Sequence, residues 1–360
     1  MDGERCAFSM QGAGMFDLQS HYKALYSSTH RECGFKGTSR ADWQAWRRRF
    51  LPRLRRALGL DIMESALSNF TPHAEKIDSV DCEFYTREQW ILHVEPTVPI
   101  PFYLLLPKNM NGLRPLVLTP HGHNHPHLYV GIYNNDNEKE LVENDRDIAV
   151  QSVREGYVTI SPTVRGFGDT RTREDRENNQ LSSCRTQLVH GLLVGRTPIG
   201  ERVWDQSRLI DWALVNLPID RKRIAITGNS GGGTVSLFTG ALDRRVTVSV
   251  PSCYFCTFEG SIGSISHCDC NYIPGIMRLG EMYDVAGLIA PRPVRFIAGV
   301  KDEIFPIEHV RMAFSKVKKI YRAAGAPDNC ELYEGEGGHR YYRAGAWPFI
   351  RKCFTQVGLC

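Results

Sequence analysis

The segment from Ile224 to Thr234 constrains the fold of this chain more than any other. It reads IAITGNSGGGT, a β-branched run followed by G-x-S-x-G and by small residues that suit the start of a helix. A strand that turns sharply into a helix would expose the Ser230 hydroxyl as a nucleophile. Such a turn needs Gly228 and Gly232, where a Cβ would collide with neighbouring backbone. The motif therefore predicts a strand–turn–helix unit around Ser230, against the alternative of a glycine-rich turn with an incidental serine.

The composition indicates a globular chain without a strongly charged partner. The chain has 360 residues, 42 % of them hydrophobic, which is enough for one large domain with an extension. Its 44 basic and 40 acidic residues nearly balance, so we expect no nucleic-acid partner. It has no run of about 20 apolar residues and no apolar signal region at its start, so we expect no membrane partner. Eleven cysteines without a disulfide-framework spacing favour free thiols and a cytoplasmic location.

Residues 1–80 are predicted to form an N-terminal helical extension. Between residues 39 and 60, large apolar side chains recur at helical spacing, opposite a face rich in arginine. These apolar residues are Trp43, Trp46, Phe50, Leu54 and Leu58. Pro52 is expected to kink or split the helix. We interpret the segment as a helix that packs its aromatic face on the main domain, in preference to a basic helix that binds a membrane or nucleic acid.

Residues 81–360 are predicted to form an α/β domain with a mostly parallel central sheet flanked by helices. Short apolar runs alternate with helical patterns, which is typical of parallel strands joined by helices. An antiparallel pair of strands opens the domain and the other strands follow. The predicted strands are residues 90–94, 102–106, 116–118, 157–160, 223–227, 246–250, 294–298 and 332–333.

The histidine-rich run TPHGHNHPH follows the third predicted strand and allows two interpretations. Imidazole is a preferred zinc ligand, so His121, His123 and His125 could form the site of a metal-dependent hydrolase. Alternatively, the loop after this strand supplies a backbone N–H group that holds an oxyanion, and His123 is the residue at that position. Its partner would be the N–H group of Gly231, which follows Ser230. We favour the oxyanion interpretation, because the run contains no carboxylate.

Two residues late in the chain complete a candidate catalytic set. Asp302 comes after the strand predicted over residues 294–298, at the sheet edge where catalytic groups collect, and its neighbour Glu303 is the competing acid. His339 lies in a glycine-rich loop after the last predicted strand. In this scheme Ser230 attacks a carbonyl carbon, His339 takes the serine proton, and Asp302 orients the imidazole.

From about Asp81 to its end, the chain resembles the α/β-hydrolase superfamily, and within it the carboxylic ester hydrolases similar to acetyl xylan esterase and dienelactone hydrolase. The resemblance is carried by the G-x-S-x-G turn, the HGH loop, the loop from Gly299 to Pro306 that contains Asp302, and the pair Gly338-His339. Residues 195–197, 203–205, 211–212 and 268–275 add to it. It implies the α/β-hydrolase fold and a serine esterase that uses Ser230, His339 and Asp302 without a cofactor. It also implies small-molecule or carbohydrate ester substrates with short acyl groups such as acetyl.

The chain departs from the cephalosporin C deacetylase branch of these esterases. Phe167 stands where that branch has Gln, Gly231 replaces a second Gln, and Arg340 replaces a Glu. These differences leave deacetylase specificity and the hexamer of that branch open. A homo-oligomer is one option for the assembly.

Side chains near the predicted strand ends are candidates for lining the substrate pocket. They are His121, Arg165, Phe167, Trp204, Cys253 and Tyr254. No metal site is predicted, because Cys268 and Cys270 are too close together to form a tetrahedral site alone and no second pair accompanies them. The alternatives that stay open are a metal-dependent hydrolase, a serine peptidase and a non-catalytic binding protein of the same fold.

Overall fold

The computed structural model describes residues 17–140 and 145–357. The N-terminal residues on which the secretory-signal prediction rests lie outside these ranges. Within them, nine strands form one sheet. The strands are β1 (His73–Asp81), β2 (Tyr85–Glu95), β3 (Val98–Pro107), β4 (Arg114–Leu118), β5 (Val158–Pro162), β6 (Ile219–Asn229), β7 (Val248–Ser252), β8 (Val294–Gly299) and β9 (Cys330–Gly335).

The sheet is mostly parallel, as the sequence predicts. Its strand order is β1-β2-β3-β5-β4-β6-β7-β8-β9. β1, β2, β3 and β5 pair with one another antiparallel, and the remaining neighbours from β5 to β9 are parallel. Because parallel strands end at the same edge, the loops after β4, β6, β7, β8 and β9 come together there.

Helices cover both faces of the sheet. They are α1 (Leu18–Ser28), α2 (Arg40–Ala57), α3 (Leu60–Ala66), α4 (Pro126–Tyr129), α5 (Asp136–Glu140), α6 (Ile148–Arg154), α7 (Arg173–Glu177), α8 (Cys184–Leu193), α9 (Pro198–Asn216), α10 (Gly231–Leu242), α11 (Ile276–Leu279), α12 (Met282–Gly287), α13 (Ile307–Ala323) and α14 (Arg343–Val357). None of the helices in the described ranges is both long and apolar enough to cross a membrane.

Alternate residues of the central strands enter two separate hydrophobic cores. Ile224 and Ile226 of β6 pack in the core that also contains side chains of α2, α9, α10, α12 and α13. Ala225, between them, belongs to the core formed with α6 and α14. This alternation follows from the strand geometry, in which successive side chains point to opposite faces. The central strands are therefore buried on both sides, which explains their continuous apolar sequences.

The aromatic helix of the predicted extension is α2. It begins at a capping box, in which Ser39 and Asp42 satisfy each other's backbone N–H groups. Trp43, Trp46, Phe50, Leu54 and Leu58 are all buried in the same core as the central strands. The helix packs on the main domain, as predicted.

Two details of the predicted extension need correction. Pro52, expected to kink or split the helix, does not split α2, which continues from Arg40 to Ala57. The extension is also not helical throughout, because residues 73–81 form β1, which pairs with β2 along its length. Almost every residue of β1 is exposed, so its sequence lacks the apolar run that marks the other strands.

Candidate active site

Ser230 stands on a strained turn between β6 and α10. Its backbone has φ 58° and ψ −119°, a left-handed conformation that is costly for a residue other than glycine. The turn is held by the Ser230 N–H group, which donates to the carbonyl of Ser252 at 2.9 Å. A Cβ added to Gly228 or Gly232 would lie 2.3 or 2.1 Å from the carbonyl oxygen of Pro120. The close approach that the G-x-S-x-G motif predicts is therefore present.

Two segments that are predicted to supply oxyanion N–H groups, the start of α10 and the loop after β4, meet at Ser230. Gly231 is the first residue of α10, and the first N–H groups of a helix have no partner within it. The loop after β4 packs directly on this turn, because a Cβ added to Gly122 would lie 2.9 Å from the Gly231 nitrogen and 3.2 Å from the Ser230 Cβ. His123 follows in the same loop. The two residues predicted to hold an oxyanion, Gly231 and His123, thus flank Ser230.

The structure joins Asp302 and His339 by a hydrogen bond. Nδ1 of His339 lies 2.8 Å from Oδ2 of Asp302. The other carboxylate oxygen, Oδ1, accepts from the N–H groups of Ile304 and Phe305 at 2.9 and 3.2 Å. Its competitor Glu303 is exposed. The carboxylate is thus fixed by three donors and has the contact with imidazole that a triad acid requires.

A cavity of about 330 Å³ opens next to Ser230. Its remaining lining residues are His123, Gly231, Thr234, Tyr254, Ile265, Ser266, His267, Cys268, Asn271, Ile304 and Phe305. The Phe305 ring stacks on the His339 imidazole, with the ring centroids 5.8 Å apart. The cavity therefore lies between the candidate nucleophile and the residues that position the candidate base.

Of the six predicted pocket residues, Tyr254 is the one that lines this cavity. His121 is fully buried, and both of its ring nitrogens are occupied. Nδ1–H donates to the Gly122 carbonyl at 2.7 Å, and Nε2 accepts from the Val164 N–H group at 2.9 Å. Burial lowers the pKa of His121 to about 4. A neutral imidazole with both nitrogens engaged has a structural role and leaves no atom to ligate a metal.

The other predicted pocket residues are held by contacts of their own. Arg165 forms buried ion pairs with Glu95 and Asp205. The Trp204 indole N–H group donates to a backbone carbonyl of β2 at 3.1 Å. Phe167 packs edge-on against the rings of His121 and His123.

Cys253 lies behind the acid and base rather than in the cavity lining. Its thiol donates to the Arg340 carbonyl at 3.1 Å. Burial, aided by the charge of Asp302, raises the pKa of Cys253 to about 12, so the sulfur stays protonated. This thiol fills space behind the site and is not a second nucleophile.

The sequence pattern does not single out Cys184, which lies next to His123 and Cys268 of the cavity lining. Its thiol lies with the His123 imidazole and the thiols of Cys268 and Cys270, and the ligand atoms of all four are within 4.8 Å of one another. Cys184 is far from the C-x-C pair in the sequence, and its spacing matches no metal-binding motif. The proximity arises only from the fold.

Comparison with known proteins finds one related sequence and several solved structures of similar fold. "Putative hydrolase YtaP" of Bacillus subtilis (strain 168) is 27 % identical over 247 residues, which are 66 % of this chain and 77 % of that protein. Among solved structures, a putative acetyl xylan esterase from Bacteroides fragilis NCTC 9343 has a TM-score of 0.72 at 19 % identity, and the match covers 94 % of this chain and 86 % of the other. "Methylesterase BT1017" has a TM-score of 0.66 at 19 % identity, with 94 % and 68 % covered.

These two structural matches show that the fold is shared and nothing further, because each structure is only 19 % identical in sequence to this chain. The sequence profile of the Abhydrolase family matches residues 21–342, which include both the α2 helix and the His339 loop. The chain has the α/β-hydrolase fold and belongs to the Abhydrolase family.

Proposed function

We propose that this protein is a serine carboxylic ester hydrolase that works through an acyl-enzyme. The observation that carries the proposal is the hydrogen bond between His339 and Asp302, formed at the same sheet edge as the strained turn of Ser230. A nucleophile on a strand–helix turn, with an acid and a base on later loops in this order, is the arrangement of serine hydrolases of this fold.

The proposed reaction assigns one role to each group. The Asp302 carboxylate accepts the Nδ1–H of His339, which leaves Nε2 of the imidazole unprotonated and able to take the Ser230 proton. The serine oxygen then attacks the ester carbonyl carbon, and the N–H groups of Gly231 and His123 stabilise the oxyanion. His339 next protonates the leaving alcohol. Water, activated by the same imidazole, releases the acid from the acyl-enzyme.

The cavity supports a small group on one side of the ester. Its volume of about 330 Å³ is near the lower end of the range for ligand pockets, about 300–1,000 Å³. Ile265, Ile304 and Phe305 supply apolar surface, and Tyr254 and Asn271 supply polar atoms. We propose short-acyl esters, acetyl above all, as substrates, and acetylated carbohydrates as the physiological class. The names of the two structural relatives, an acetyl xylan esterase and a methylesterase, agree with small ester groups.

A nitrophenyl ester series from acetate to octanoate tests both the activity and the size of the cavity. We expect kcat/KM to be highest for acetate or propionate and to fall with longer chains, because a longer acyl group must displace the cavity wall. The Ser230→Ala variant is the control and should lose several orders of magnitude in kcat while remaining folded. Equal rates for the wild type and the variant, or no hydrolysis of any ester in the series, would contradict the proposal.

A second comparison separates the two kinds of small ester group. Acetylated xylo-oligosaccharides place the small group on the acyl side, and methyl esters of uronic acids place it on the alcohol side. We expect hydrolysis of the acetylated sugars. Turnover of the methyl uronates alone would keep the serine mechanism and overturn the acetyl preference.

The metal-dependent alternative has less support from the geometry. His121 has both nitrogens engaged, and the His125 ring stacks on His127, whose Nε2 contacts Glu138 at 3.2 Å. The side chains of His121, His123 and His125 are therefore not arranged to bind one ion together. A non-catalytic binding protein would be indicated by a folded chain that hydrolyses none of these esters.

A further inference from the structure

Four metal-ligating side chains from three separate segments meet beside the Ser230 cavity. His123 comes from the loop after β4, Cys184 opens α8, and Cys268 and Cys270 lie in the loop before α11. The imidazole and the three thiols have their ligand atoms within 4.8 Å of one another. The sulfurs of Cys268 and Cys270 are 3.3 Å apart. Cys184 and Cys270 are buried, whereas His123 is accessible to solvent.

A buried arginine lies next to these thiols and would balance the charge of a metal–thiolate site. Arg202 is 1 % exposed, and its Nη2 lies 3.4 Å from the Cys184 sulfur. Its other hydrogen bonds go to the neutral Arg165 carbonyl and the Gln187 amide oxygen. Within the described ranges Arg202 forms no ion pair with a carboxylate, although a buried charge needs a partner of opposite sign. Thiolate sulfurs would supply that partner.

We infer that His123, Cys184, Cys268 and Cys270 form a tetrahedral zinc site. Three thiolates and one imidazole are a common ligand set for structural zinc. Zn–S bonds of about 2.3 Å in a tetrahedron put the sulfurs about 3.8 Å apart, a spacing that small side-chain movements reach from the separations present. Binding releases the three thiol protons to solvent. The divalent ion and three thiolates then carry one net negative charge, which Arg202 balances.

Other occupants fit these four groups less well. Magnesium and calcium prefer oxygen ligands, whereas thiolate and imidazole select zinc and softer ions. A disulfide would join only two of the three sulfurs, and the nine described cysteines are all free thiols. The ligand atoms lie within 4.8 Å of one another, which suits one ion rather than an iron–sulfur cluster.

The site has four protein ligands and therefore no open position for substrate or water. Zinc with a complete tetrahedron of side chains stabilises structure and does not activate a reactant. This ion would fasten the loop that carries His123 to α8 and to the loop of Cys268, and both His123 and Cys268 line the cavity. The inference concerns metal binding and does not depend on the proposed esterase activity.

The metal content of the untagged protein, purified under reducing conditions without chelator, tests the inference directly. We expect elemental analysis to find one zinc ion per chain. Cys184→Ser and Cys270→Ser should each lower the zinc content by about tenfold or more, because a site with three ligands holds zinc far more weakly. Cys82→Ser is the matched control: Cys82 is partly exposed, lies in the turn after β1, and its loss should leave the zinc in place.

Cobalt substitution tests the metal site in the wild-type protein by its absorption spectrum. This test does not depend on whether the serine variants fold. Cobalt(II) added to the reduced, zinc-free protein should produce thiolate-to-cobalt charge-transfer absorption and the visible bands of tetrahedral geometry. The inference is overturned if the wild type, expressed with zinc, contains no zinc and gives no such spectrum. It is also overturned if two of these three cysteines are joined by a disulfide in freshly isolated protein, or if both serine variants keep full zinc.

Discussion

Replacing Asp302 by asparagine tests the assignment of the acid with a change of only one atom. The carboxylate now serves three donors: Oδ1 accepts from the N–H groups of Ile304 and Phe305, and Oδ2 accepts from Nδ1–H of His339. Asparagine offers a single oxygen and one NH₂ group. The single amide oxygen of the variant can therefore accept either from the two backbone N–H groups or from His339, but not from both sides.

The local hydrogen bonds determine that choice. Turning the amide oxygen away from the two backbone N–H groups loses two hydrogen bonds, each contributing about 1 kcal/mol. The oxygen therefore stays with the backbone, and the NH₂ group faces His339. An NH₂ donor favours the tautomer with the proton on Nε2, which cannot accept the Ser230 proton. A preference of about 2 kcal/mol leaves roughly one molecule in thirty in the active tautomer.

Loss of the carboxylate charge adds to this tautomer effect. The imidazolium formed during the reaction no longer has its counter-ion, and the corresponding change in a Ser-His-Asp triad lowers kcat by about 10⁴. We expect a fall in kcat between about thirtyfold and 10⁴-fold for Asp302→Asn, with little change in KM. Glu303→Gln is the matched control. Glu303 is exposed, so its charge should contribute less than about 1 kcal/mol, or about fivefold in rate.

Steady-state kinetics on a nitrophenyl acetate measure both variants in the same assay. A crippled Glu303→Gln enzyme beside a nearly normal Asp302→Asn enzyme would mean that the acid has been misplaced by one residue. Equal losses in the two variants would point to a general charge effect of the loop. Either result refutes the role given to Asp302.

Three further predictions concern the turn, the buried carboxyl group and the N-terminal core. Gly232→Ala places a Cβ 2.1 Å from the Pro120 carbonyl oxygen, so it should cost about 1–3 kcal/mol of unfolding free energy in urea titrations and lower kcat/KM. Burial, which outweighs hydrogen bonds from backbone N–H groups, raises the pKa of Glu281 from 4.5 to about 7. The folded state therefore holds a proton that the unfolded state has lost, and stability falls by roughly 3 kcal/mol as pH rises through this window; Glu281→Gln should reduce that slope. Phe50→Ala empties a fully buried position in α2 and should cost about 3–5 kcal/mol.

Each of these predictions has a control in the same chain. A Cβ added to Gly34 meets its nearest atom at 3.4 Å, so Gly34→Ala should be tolerated where Gly232→Ala is not. Glu303→Gln, which changes an exposed glutamate, is the control for Glu281→Gln. Arg48 lies on the exposed face of α2, and Arg48→Ala should change stability by less than about 0.5 kcal/mol. If a control changes stability or its pH dependence as much as the variant with which it is paired, the physical reason given for that variant is wrong.

The sequence predicts the central strands and the order of the candidate residues because both leave local patterns. Strands buried on both faces, such as the one ending at Asn229, show continuous apolar runs. The turn at Ser230 needs glycine at fixed positions, and these can be read directly. By contrast, β1 is an edge strand with exposed side chains, and it is held by backbone pairing with β2, which has no sequence pattern of its own.

Contacts between distant segments explain the remaining differences. Arg165 and Trp204 lie near strand ends, as pocket residues do, but the charges of Glu95 and Asp205 and a carbonyl of β2 engage them in the interior. The spacing of residues in the sequence near Arg165 and Trp204 does not predict these partners. The approach of Cys184 to the Cys268–Cys270 pair depends likewise on how α8 packs against that loop. Tertiary packing, rather than local preference, decides these positions.

Labelling with a fluorophosphonate tests the central claim, that Ser230 is an activated nucleophile, most directly. The reagent forms a stable bond with a serine oxygen only where a base removes its proton and an oxyanion site holds the phosphonyl oxygen. We predict one adduct per chain in the intact mass, located on the peptide that contains Ser230, together with complete loss of esterase activity. An adduct on another serine, or an active esterase that the reagent neither labels nor inhibits, would contradict the account.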